Sequence, residues 1–190
     1  MTGAASERVR DLAAVAPSPA RRIRALVVTA SNRAAAGVYT DRGGPVLVEG
    51  LRTLGFDVDG PVVVADGDPV EAELRKAVSA HYDVVLTTGG TGLSPTDLTP
   101  EATARVLERA VPGLAEAIRA YGVSHGVATA ALSRGLAGLA GETLVVNLPG
   151  SPGGCRDGMA VLSGILPHAI DQIRGGDHPS GGGMSSGHGG

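Results

Sequence analysis

Four short apolar segments limit the folds open to this chain of 190 residues. Within each segment the apolar residues follow one another without alternation, which is typical of strands buried on both faces of a parallel sheet. The segments are residues 23–29 (IRALVVT), 58–64 (VDGPVVV), 83–88 (DVVLTT) and 143–148 (TLVVNL). Helical patterns separate and follow them, at residues 45–54, 69–80, 100–109, 113–121 and from Ser151 or Pro152 to about residue 174. This order predicts an α/β fold in which helices cover both faces of a mostly parallel sheet.

One domain is expected to occupy residues 21–174, since 43% of the chain is hydrophobic and can build a single core. Residues 1–20 are rich in Ala, Ser and Pro, and residues 175–190 (GGDHPSGGGMSSGHGG) form a low-complexity tail. We expect both ends to be disordered. His178 and His188 in the tail are interpreted as solvated side chains rather than metal ligands.

Charge and composition argue against several kinds of partner. A net charge of -3 and an aromatic content of 2% provide neither the basic surface nor the stacking platform of a nucleic-acid-binding protein. No apolar run approaches the ~20 residues needed to cross a bilayer, and the N-terminus lacks the apolar core of a secretion signal. The single cysteine, Cys155, fits a reducing compartment. We therefore expect a cytoplasmic protein with no nucleic-acid partner and no membrane partner.

Residues 86–97 (LTTGGTGLSPTD) run from an apolar strand directly into a glycine-rich loop. The loop is not a P-loop, because the only lysine of the chain, Lys76, lies in a predicted helix. A proline stands where a dinucleotide fingerprint needs its third glycine, and the G-x-S-x-G elbow of serine hydrolases does not occur there. Backbone N–H groups of such a loop can converge on an anion such as phosphate. The alternative is that Gly89, Gly90 and Gly92 only permit tight packing at the strand end.

Two aspartates on neighbouring loops are candidates for binding a metal ion. Thr99 is expected to cap the next helix, which leaves Asp97 free, and Asp68 with Glu71 resembles a capping box, which leaves Asp66 free. Both loops leave the same edge of the predicted sheet, so the two carboxylates could converge beside phosphates, as Mg²⁺ requires. For each aspartate alone, the alternative is a turn residue that bonds its own backbone.

The loop after the last predicted strand is a second candidate anion site. In residues 147–154 (NLPGSPGG), Ser151 is expected to be the N-cap and Pro152 the first helical residue. Free N–H groups at such a helix start favour an anion, although the same residues also make an ordinary helix start.

Other reactive side chains give weaker signals. Cys155 is interpreted as a small buried apolar residue. Three histidines lack metal-ligand spacing and are interpreted as structural: His81, His125 and His168. Three arginines could supply positive charge for phosphate groups, and the sequence does not choose among them: Arg42, Arg134 and Arg156.

Four motifs together resemble those of a known family. Residues 87–103 (TTGGTGLSPTDLTPEAT) resemble the hallmark of the molybdopterin adenylyltransferases and related molybdopterin-binding domains of molybdenum cofactor biosynthesis, of the MogA and MoaB type, which gephyrin also contains. Residues 31–41 (SNRAAAGVYTD), 131–138 (ALSRGLAG) and 144–154 (LVVNLPGSPGG) match further motifs in the family's order and spacing. The resemblance covers about residues 23–174. One position departs from the family pattern, because Asn32 stands where many relatives have aspartate.

The resemblance implies a three-layer α/β/α sandwich of the molybdopterin-binding fold, usually assembled as a homotrimer. It implies a nucleotidyltransferase that uses ATP with Mg²⁺, transfers AMP to the terminal phosphate of molybdopterin, and releases pyrophosphate. Adenylylated molybdopterin would then pass to a separate molybdate-inserting enzyme. Asp66 and Asp97 are implied to be catalytic and to hold Mg²⁺. The residues implied to bind molybdopterin or ATP are Ser31, Gly89, Gly90, Thr91, Gly92, Ser94, Ser133, Pro149, Gly150 and Ser151.

Two alternative functions stay open from the sequence. The chain could be a carrier or regulatory module that binds molybdopterin without transferring AMP. It could also be a nucleotide hydrolase of the competence-damage-inducible family, whose members contain a similar glycine-loop domain.

Overall fold

Four parallel strands form the centre of the sheet, in a computed structural model that describes residues 21–176. They are β1 (Arg24–Ala30), β2 (Asp57–Val64), β3 (Val84–Thr88) and β6 (Thr143–Leu148). Two short strands, β4 (Arg109–Ala110) and β5 (Ala137–Ala140), extend the sheet in antiparallel fashion, and the spatial order is β2-β1-β3-β6-β5-β4. The four strands predicted from the sequence are thereby confirmed.

Seven α-helices lie within the described residues. They are α1 (Asn32–Ala35), α2 (Gly44–Thr53), α3 (Asp68–Ser79), α4 (Thr99–Ala104), α5 (Pro112–Ser124), α6 (Pro152–Leu162) and α7 (Leu166–Ile173), and a short 3₁₀ helix spans Ala128–Leu132. Apolar residues of α2, α5, α6 and α7 share the larger core with one face of the sheet. Those of α3 and α4 share a second core with the other face. The predicted three-layer α/β/α arrangement is confirmed.

Neighbouring residues of a strand belong to different cores, because successive side chains point to opposite faces of a sheet. In β1, Val27 lies in the larger core and Leu26 and Val28 in the second. In β3, Leu86 and Val85 divide in the same way. Burial on both faces explains why these segments read as continuous apolar runs.

Two predicted helices have different bounds in the structure. The helix predicted at residues 100–109 ends at Ala104, after which Val106 packs in the second core and Arg109 enters β4. The last predicted helix is divided into α6 and α7 by a break at residues 163–165. Pro167 lies in the first turn of α7, where its missing N–H has no cost.

The poorly periodic stretch before β6 also contains structure that the sequence did not predict, namely the 3₁₀ helix and β5. The predictions of disorder for residues 1–20 and 177–190 lie outside the described residues. Gly175 and Gly176 follow α7, and the N–H of Gly175 donates to the carbonyl of Gln172. Between residues 21 and 176, no helix combines the length and the apolar character needed to cross a bilayer.

Candidate functional site

The carboxyl ends of the four parallel strands meet at one edge of the sheet, and the predicted site residues follow them there. Ser31 comes directly after β1, Asp66 shortly after β2, Gly89 directly after β3, and Pro149 directly after β6. Ligands of parallel α/β sheets bind at this edge, because its loops lead into helix N-termini. The topology therefore brings together loops that are far apart in sequence.

Two glycines of the loop after β3 adopt backbone conformations that side chains rarely adopt. Gly89 has φ +96° and Gly90 has φ +61°. A Cβ at Gly89 would collide with the carbonyl oxygen of Ala30, and a Cβ at Gly90 would collide with the carboxylate of Asp66. The packing of the loop therefore requires glycine at both positions.

In the glycine loop, residues 90–92 have their main-chain carbonyl groups paired and their amide groups free. The carbonyls of Gly90, Thr91 and Gly92 accept hydrogen bonds from Thr99 N (3.2 Å), Arg134 N (2.8 Å) and Arg134 Nε (2.8 Å). The N–H groups of Gly90, Thr91 and Gly92 have no acceptor among residues 21–176. Several unpaired N–H groups close together form an anion-binding surface.

Arg134 fixes this loop from the side of the 3₁₀ helix. Besides its bonds to the loop carbonyls, its guanidinium donates to the carbonyl of Asp97 at 2.5 Å and pairs with Glu101. The hydrogen bond from Arg134 to Glu101 lowers the pKa of the Glu101 carboxyl below its ordinary value. Three arginines were candidates for binding phosphate groups. The guanidinium of Arg134 is bonded to the protein itself. Arg42 donates to the Tyr39 hydroxyl at 2.7 Å. The third, Arg156, is an exposed residue of α6.

Asp66 holds the glycine loop against the end of β2. Its carboxylate accepts hydrogen bonds from Thr99 Oγ1 at 2.8 Å, Leu98 N at 3.1 Å and Gly67 N at 2.7 Å. The prediction that Thr99 caps its own helix is therefore wrong: α4 begins at Thr99, its N-cap is Leu98, and the hydroxyl is used by Asp66 instead. Asp66 is a bonded residue, not a surplus carboxylate.

The predicted capping box at α3 is also wrong. Gly67 is the N-cap of α3, and Asp68 is its first residue, with a carboxylate that pairs with Arg105 at 2.9 Å. Glu71 bonds Arg105 and Arg75, and these hydrogen bonds lower the pKa of its carboxyl. The two acidic residues thus connect α3 to α4 across the surface.

Asp97 lies in a turn of the glycine loop, with one oxygen bonded and one free. Its Oδ2 accepts from Ser94 N at 3.0 Å, as expected of a turn residue, whereas Oδ1 has no donor among the described residues. Asp66 and Asp97 line one cleft of about 260 Å³, together with Ser31, Asn32, Arg33 and Gly90 among others. The sequence prediction that the two aspartates converge is correct in its geometry, although the capping argument behind it was not.

Asn32 supports the same cleft. Its Oδ1 accepts a hydrogen bond from the backbone N–H of Asp66 at 3.0 Å, which joins the loop after β1 to the loop after β2. An acceptor oxygen is what this contact needs, so asparagine at this position is compatible with the site.

A larger cleft of about 410 Å³ lies on the other side of the glycine loop. Its polar wall consists of Gly89, Gly90, Thr91, Gly92, Asp97, Ser133, Pro149, Gly150 and Ser151. The opposite wall is mainly apolar and includes Val127, Ala130 and Leu132 from the segment around the 3₁₀ helix. The structure thus brings nearly all of the predicted binding residues to two adjoining clefts. Ser94 is the exception, because it is exposed on the loop and bonds Thr96.

Ser151 is the N-cap of α6, as predicted, and accepts from Gly154 N at 3.0 Å. The N–H groups of Gly150, Ser151 and Gly153 have no acceptor within the described chain. This helix start therefore adds free amides beside those of the glycine loop. Ser133 Oγ lies opposite and accepts from Gly135 N at 3.3 Å.

Cys155 is buried, as the sequence predicts, and its Sγ lies 3.2 Å from Thr88 Oγ1. Burial raises the pKa of the thiol, so it is not a candidate nucleophile. Within residues 21–176, no group of three or more His, Cys, Asp or Glu side chains is suited to enclosing a metal.

Three contributors to the site were missed by sequence reasoning: Asn32, Thr99 as a partner of Asp66, and Arg33. A polar residue directly after a buried strand is a usable signal for the first. The other two depend on which loops the fold brings together, and no local pattern shows this.

A doubly wound α/β sheet whose ligand edge carries free amides, with two carboxylates in one cleft, belongs to the class of α/β folds whose ligand edge is suited to phosphate groups. Residues 26–168 match the family described as "Probable molybdopterin binding domain". The chain therefore belongs to the molybdopterin-binding domain family, which confirms the resemblance seen in its motifs.

Individual relatives agree with this assignment. Over 155 residues the chain is 37% identical to the molybdopterin adenylyltransferase of Helicobacter pylori strain J99, covering 78% of this chain and 86% of the relative. It is 41% identical over 136 residues to the molybdenum cofactor synthesis protein cinnamon of Drosophila melanogaster, covering 70% of this chain but only 22% of that protein. The structure of the molybdopterin biosynthesis Mog protein from Mycobacterium ulcerans has a TM-score of 0.74 at 52% identity, covering 80% of this chain and 99% of that one.

A more distant solved structure shares the fold. The protein CinA of Thermoplasma acidophilum has a TM-score of 0.59 at 21% identity, covering 75% of this chain and 98% of that one. The two proteins share a fold, and this likeness carries no information about the reaction.

Proposed function

We propose that this protein is a molybdopterin adenylyltransferase, which transfers AMP from ATP to molybdopterin and releases pyrophosphate. The observation that carries the proposal is the placement of Asp66 and Asp97 in one cleft, next to the free amides of the glycine loop. The chain covers 86% of a relative from Helicobacter pylori that is named a molybdopterin adenylyltransferase.

The two adjoining clefts suit two phosphate-bearing substrates. The larger cleft combines free amides with an apolar wall, which suits a phosphate attached to a planar ring system such as the pterin. The smaller cleft combines Asp66 and Asp97 with Arg33, which suits the triphosphate of ATP. Gly90 and Asp97 line both clefts, so the reacting phosphates would meet at the glycine loop.

The residues present fit a magnesium ion held with ATP. Mg²⁺ takes one or two protein carboxylates and completes its shell with phosphate oxygens and water. Asp97 Oδ1 is an unbonded carboxylate oxygen in the smaller cleft, and Asp66 lines the same cleft. Asp66 and Asp97 would hold the ion, and the chemistry it supplies is neutralisation of negative charge on the triphosphate.

The reaction forms one bond and breaks one bond at the α-phosphorus of ATP. An oxygen of the molybdopterin phosphate attacks that phosphorus, and the electron pair of the breaking P–O bond leaves with pyrophosphate. The amides of the glycine loop would orient the phosphates, and positioning with charge stabilisation is what such transfers need. No side chain of the protein has to form a covalent intermediate.

AMP incorporation into molybdopterin from labelled ATP, with Mg²⁺, tests this function. Asp66→Asn and Asp97→Asn are expected to lower the rate at least about 100-fold, because each removes a charge from the cleft while keeping the size of the side chain. Asp57→Asn, an exposed carboxylate at the start of β2, is the matched control and should retain the wild-type rate.

Binding of molybdopterin separates the possible outcomes. Both cleft variants should still bind it, since the amides of the larger cleft are unchanged. A wild-type protein that binds molybdopterin but transfers no AMP would instead be a carrier or regulatory module. Hydrolysis of a nucleotide without AMP transfer would favour the hydrolase alternative.

Further properties of the protein are part of the same proposal. We infer a homotrimer, as is usual in the family, which sedimentation equilibrium would measure as a mass three times that of one chain. We also infer a cytoplasmic location, and delivery of adenylylated molybdopterin to a separate molybdate-inserting enzyme. No nucleic-acid or membrane partner is proposed.

A further inference from the structure

Two arginines face the same exposed tyrosine in the loop after β1. The guanidinium carbon of Arg33 lies 5.3 Å from the centre of the Tyr39 ring, and that of Arg42 lies 5.4 Å from it. Arg42 also donates to the Tyr39 hydroxyl from Nη2 at 2.7 Å and from Nε at 3.2 Å. Tyr39 is 41% exposed, an unusual position for an aromatic side chain in a protein that has so few of them.

Neither arginine has a carboxylate partner among residues 21–176. The nearest acidic residue in sequence, Asp41, is occupied elsewhere: Oδ2 accepts from Thr29 Oγ1 at 2.8 Å, and Oδ1 accepts from Gly43 N and Gly44 N at 3.0 Å each. Two guanidinium groups without carboxylate partners beside one ring concentrate positive charge on this part of the surface, which favours the binding of an anion nearby.

The two arginines reach different recesses beside the glycine loop. Arg33 lines the smaller cleft with Asp66 and Asp97 and is the one cationic side chain in its lining. Arg42 and Tyr39 line a neighbouring recess of about 100 Å³ that includes Thr88, Gly89 and Gly150. Ser31 belongs to both recesses, so together they form a continuous surface along one side of the loop.

We propose that Arg33 binds the triphosphate of ATP, and that Tyr39 is a positioning residue that holds Arg33 and Arg42 towards the phosphates. The ligand is assigned as the triphosphate because Arg33 shares its cleft with the two aspartates, and a polyphosphate with a divalent cation is the ligand that needs both carboxylates and a guanidinium. This assignment rests on the proposed function for the identity of the nucleotide.

Equilibrium binding of ATP with Mg²⁺ to the full chain, together with KM for ATP and for molybdopterin, tests the assignment. Arg33→Gln is expected to weaken ATP binding roughly 10- to 100-fold, because a charge-assisted hydrogen bond is lost. Arg33→Lys should fall between Arg33→Gln and the wild type, since it keeps the charge but not the planar fork. Arg52→Gln, an exposed arginine in the last turn of α2 at the opposite edge of the sheet, is the matched control and should bind ATP as the wild type does.

Tyr39 is tested by a pair of variants that separates the ring from its hydroxyl. Tyr39→Ala should raise KM for ATP about threefold or more without a matching loss of kcat, because the cation–π contacts with both arginines are lost. Tyr39→Phe keeps those contacts and should stay closer to the wild type. Equal effects of Tyr39→Ala on ATP and on molybdopterin would contradict a positioning role directed at the triphosphate.

The outcomes distinguish this inference from the proposed function. If Arg33→Gln binds ATP as tightly as the wild type, or loses affinity for molybdopterin instead, the assignment of Arg33 is wrong while AMP transfer by the wild type can still stand. If the wild type binds ATP but transfers no AMP, the proposed function fails, and the ATP affinities of the Arg33 variants still decide the assignment.

Discussion

Thr99 stands at the first residue of α4 with its hydroxyl directed at Asp66 rather than at its own helix. The side chain is fully buried, and its Oγ1 also limits the space beside Gly90, where a Cβ would come too close. One residue thus orients a carboxylate of the site and restricts the adjoining loop position to glycine. Thr99 lines neither cleft, yet it orients a carboxylate that lines the smaller one.

Replacement of Thr99 by valine keeps the shape of the side chain and removes the hydroxyl. We expect Thr99→Val to lower the free energy of unfolding by about 1–2 kcal/mol, measured by urea denaturation, because a hydrogen bond to a carboxylate is lost. AMP transfer should fall about tenfold, because Asp66 loses one of its three donors. Thr99→Ser keeps the hydroxyl and should preserve most of the transfer rate. A loss in Thr99→Ser as large as that in Thr99→Val would contradict the role assigned to the hydroxyl, because serine keeps it.

At the scale of elements, the glycine loop is held by a segment that lies far from it in sequence. Arg134, between the 3₁₀ helix and β5, bonds Thr91, Gly92 and Asp97 through its backbone and side chain. The loop itself contains no regular secondary structure, so these contacts substitute for the hydrogen bonds of a helix or strand. The shape of the loop therefore depends on the correct docking of residues 128–140.

Substitution of Arg134 should loosen the loop without unfolding the domain. In Arg134→Ala, we expect faster hydrogen–deuterium exchange at residues 90–98 and higher KM values for both substrates. The guanidinium makes two hydrogen bonds to main-chain carbonyls of the loop and an ion pair with Glu101, and all three contacts are lost with this side chain. Arg134→Lys should not restore slow exchange, since an ammonium group cannot reproduce the fork geometry. Arg75→Ala removes an exposed arginine of α3 that also pairs with a glutamate, and it should leave exchange in the loop unchanged.

The elements that the sequence predicted correctly are those whose pattern is decided by burial on both faces. β1, β3 and β6 are almost entirely buried, and their apolar runs leave no other interpretation. β4 and β5 have two and four residues, and Gly138 approaches the Arg109 carbonyl so closely that a side chain would not fit. Strands this short are defined by their partner across the sheet, and the partner is known only from the fold.

The candidate site was predictable in its location but not in its contacts. Parallel strands bring their carboxyl ends together, so the convergence of Asp66 and Asp97 followed from topology alone. Which donor each carboxylate accepts depends on loop conformations, and for Thr99 and Asp68 general capping preferences gave the wrong answer. At those two positions a contact with a distant loop or helix replaced the local one.

At the scale of the whole molecule, a buried carboxylate joins the two ends of the described chain at the edge opposite to the site. Asp83, before β3, accepts from Arg21 at 2.6 Å, from Arg174 Nη2 at 2.9 Å and from the backbone N–H of Arg24 at 2.7 Å. Arg174 in turn donates to the carbonyls of Arg21 and Arg22. The entry of the chain into the domain and its exit after α7 are thereby fixed to the same strand.

Removal of this charge should affect stability and leave catalysis intact. Asp83→Asn is expected to lower the free energy of unfolding by roughly 2 kcal/mol, with a corresponding drop in Tm, because charge-assisted hydrogen bonds of a buried carboxylate are weakened. AMP transfer at 25 °C should be unchanged, since the contact lies at the far edge of the sheet. Asp57→Asn, whose carboxylate is exposed, provides the comparison. A loss of activity in folded Asp83→Asn would show that the two edges are coupled.

The paired carbonyls and free amides of the glycine loop also have a consequence for inheritance. A point mutation replaces a side chain and leaves the backbone N–H in place, except when proline is introduced. The anion-binding half of this site is therefore largely protected from single substitutions, whereas the carboxylate half is lost when one nucleotide change converts aspartate to asparagine. Under the roles proposed for these groups, descendants of such a gene would keep the ability to hold the phosphate-bearing ligand after losing the reaction, and non-catalytic binding proteins would arise from this fold in a single step.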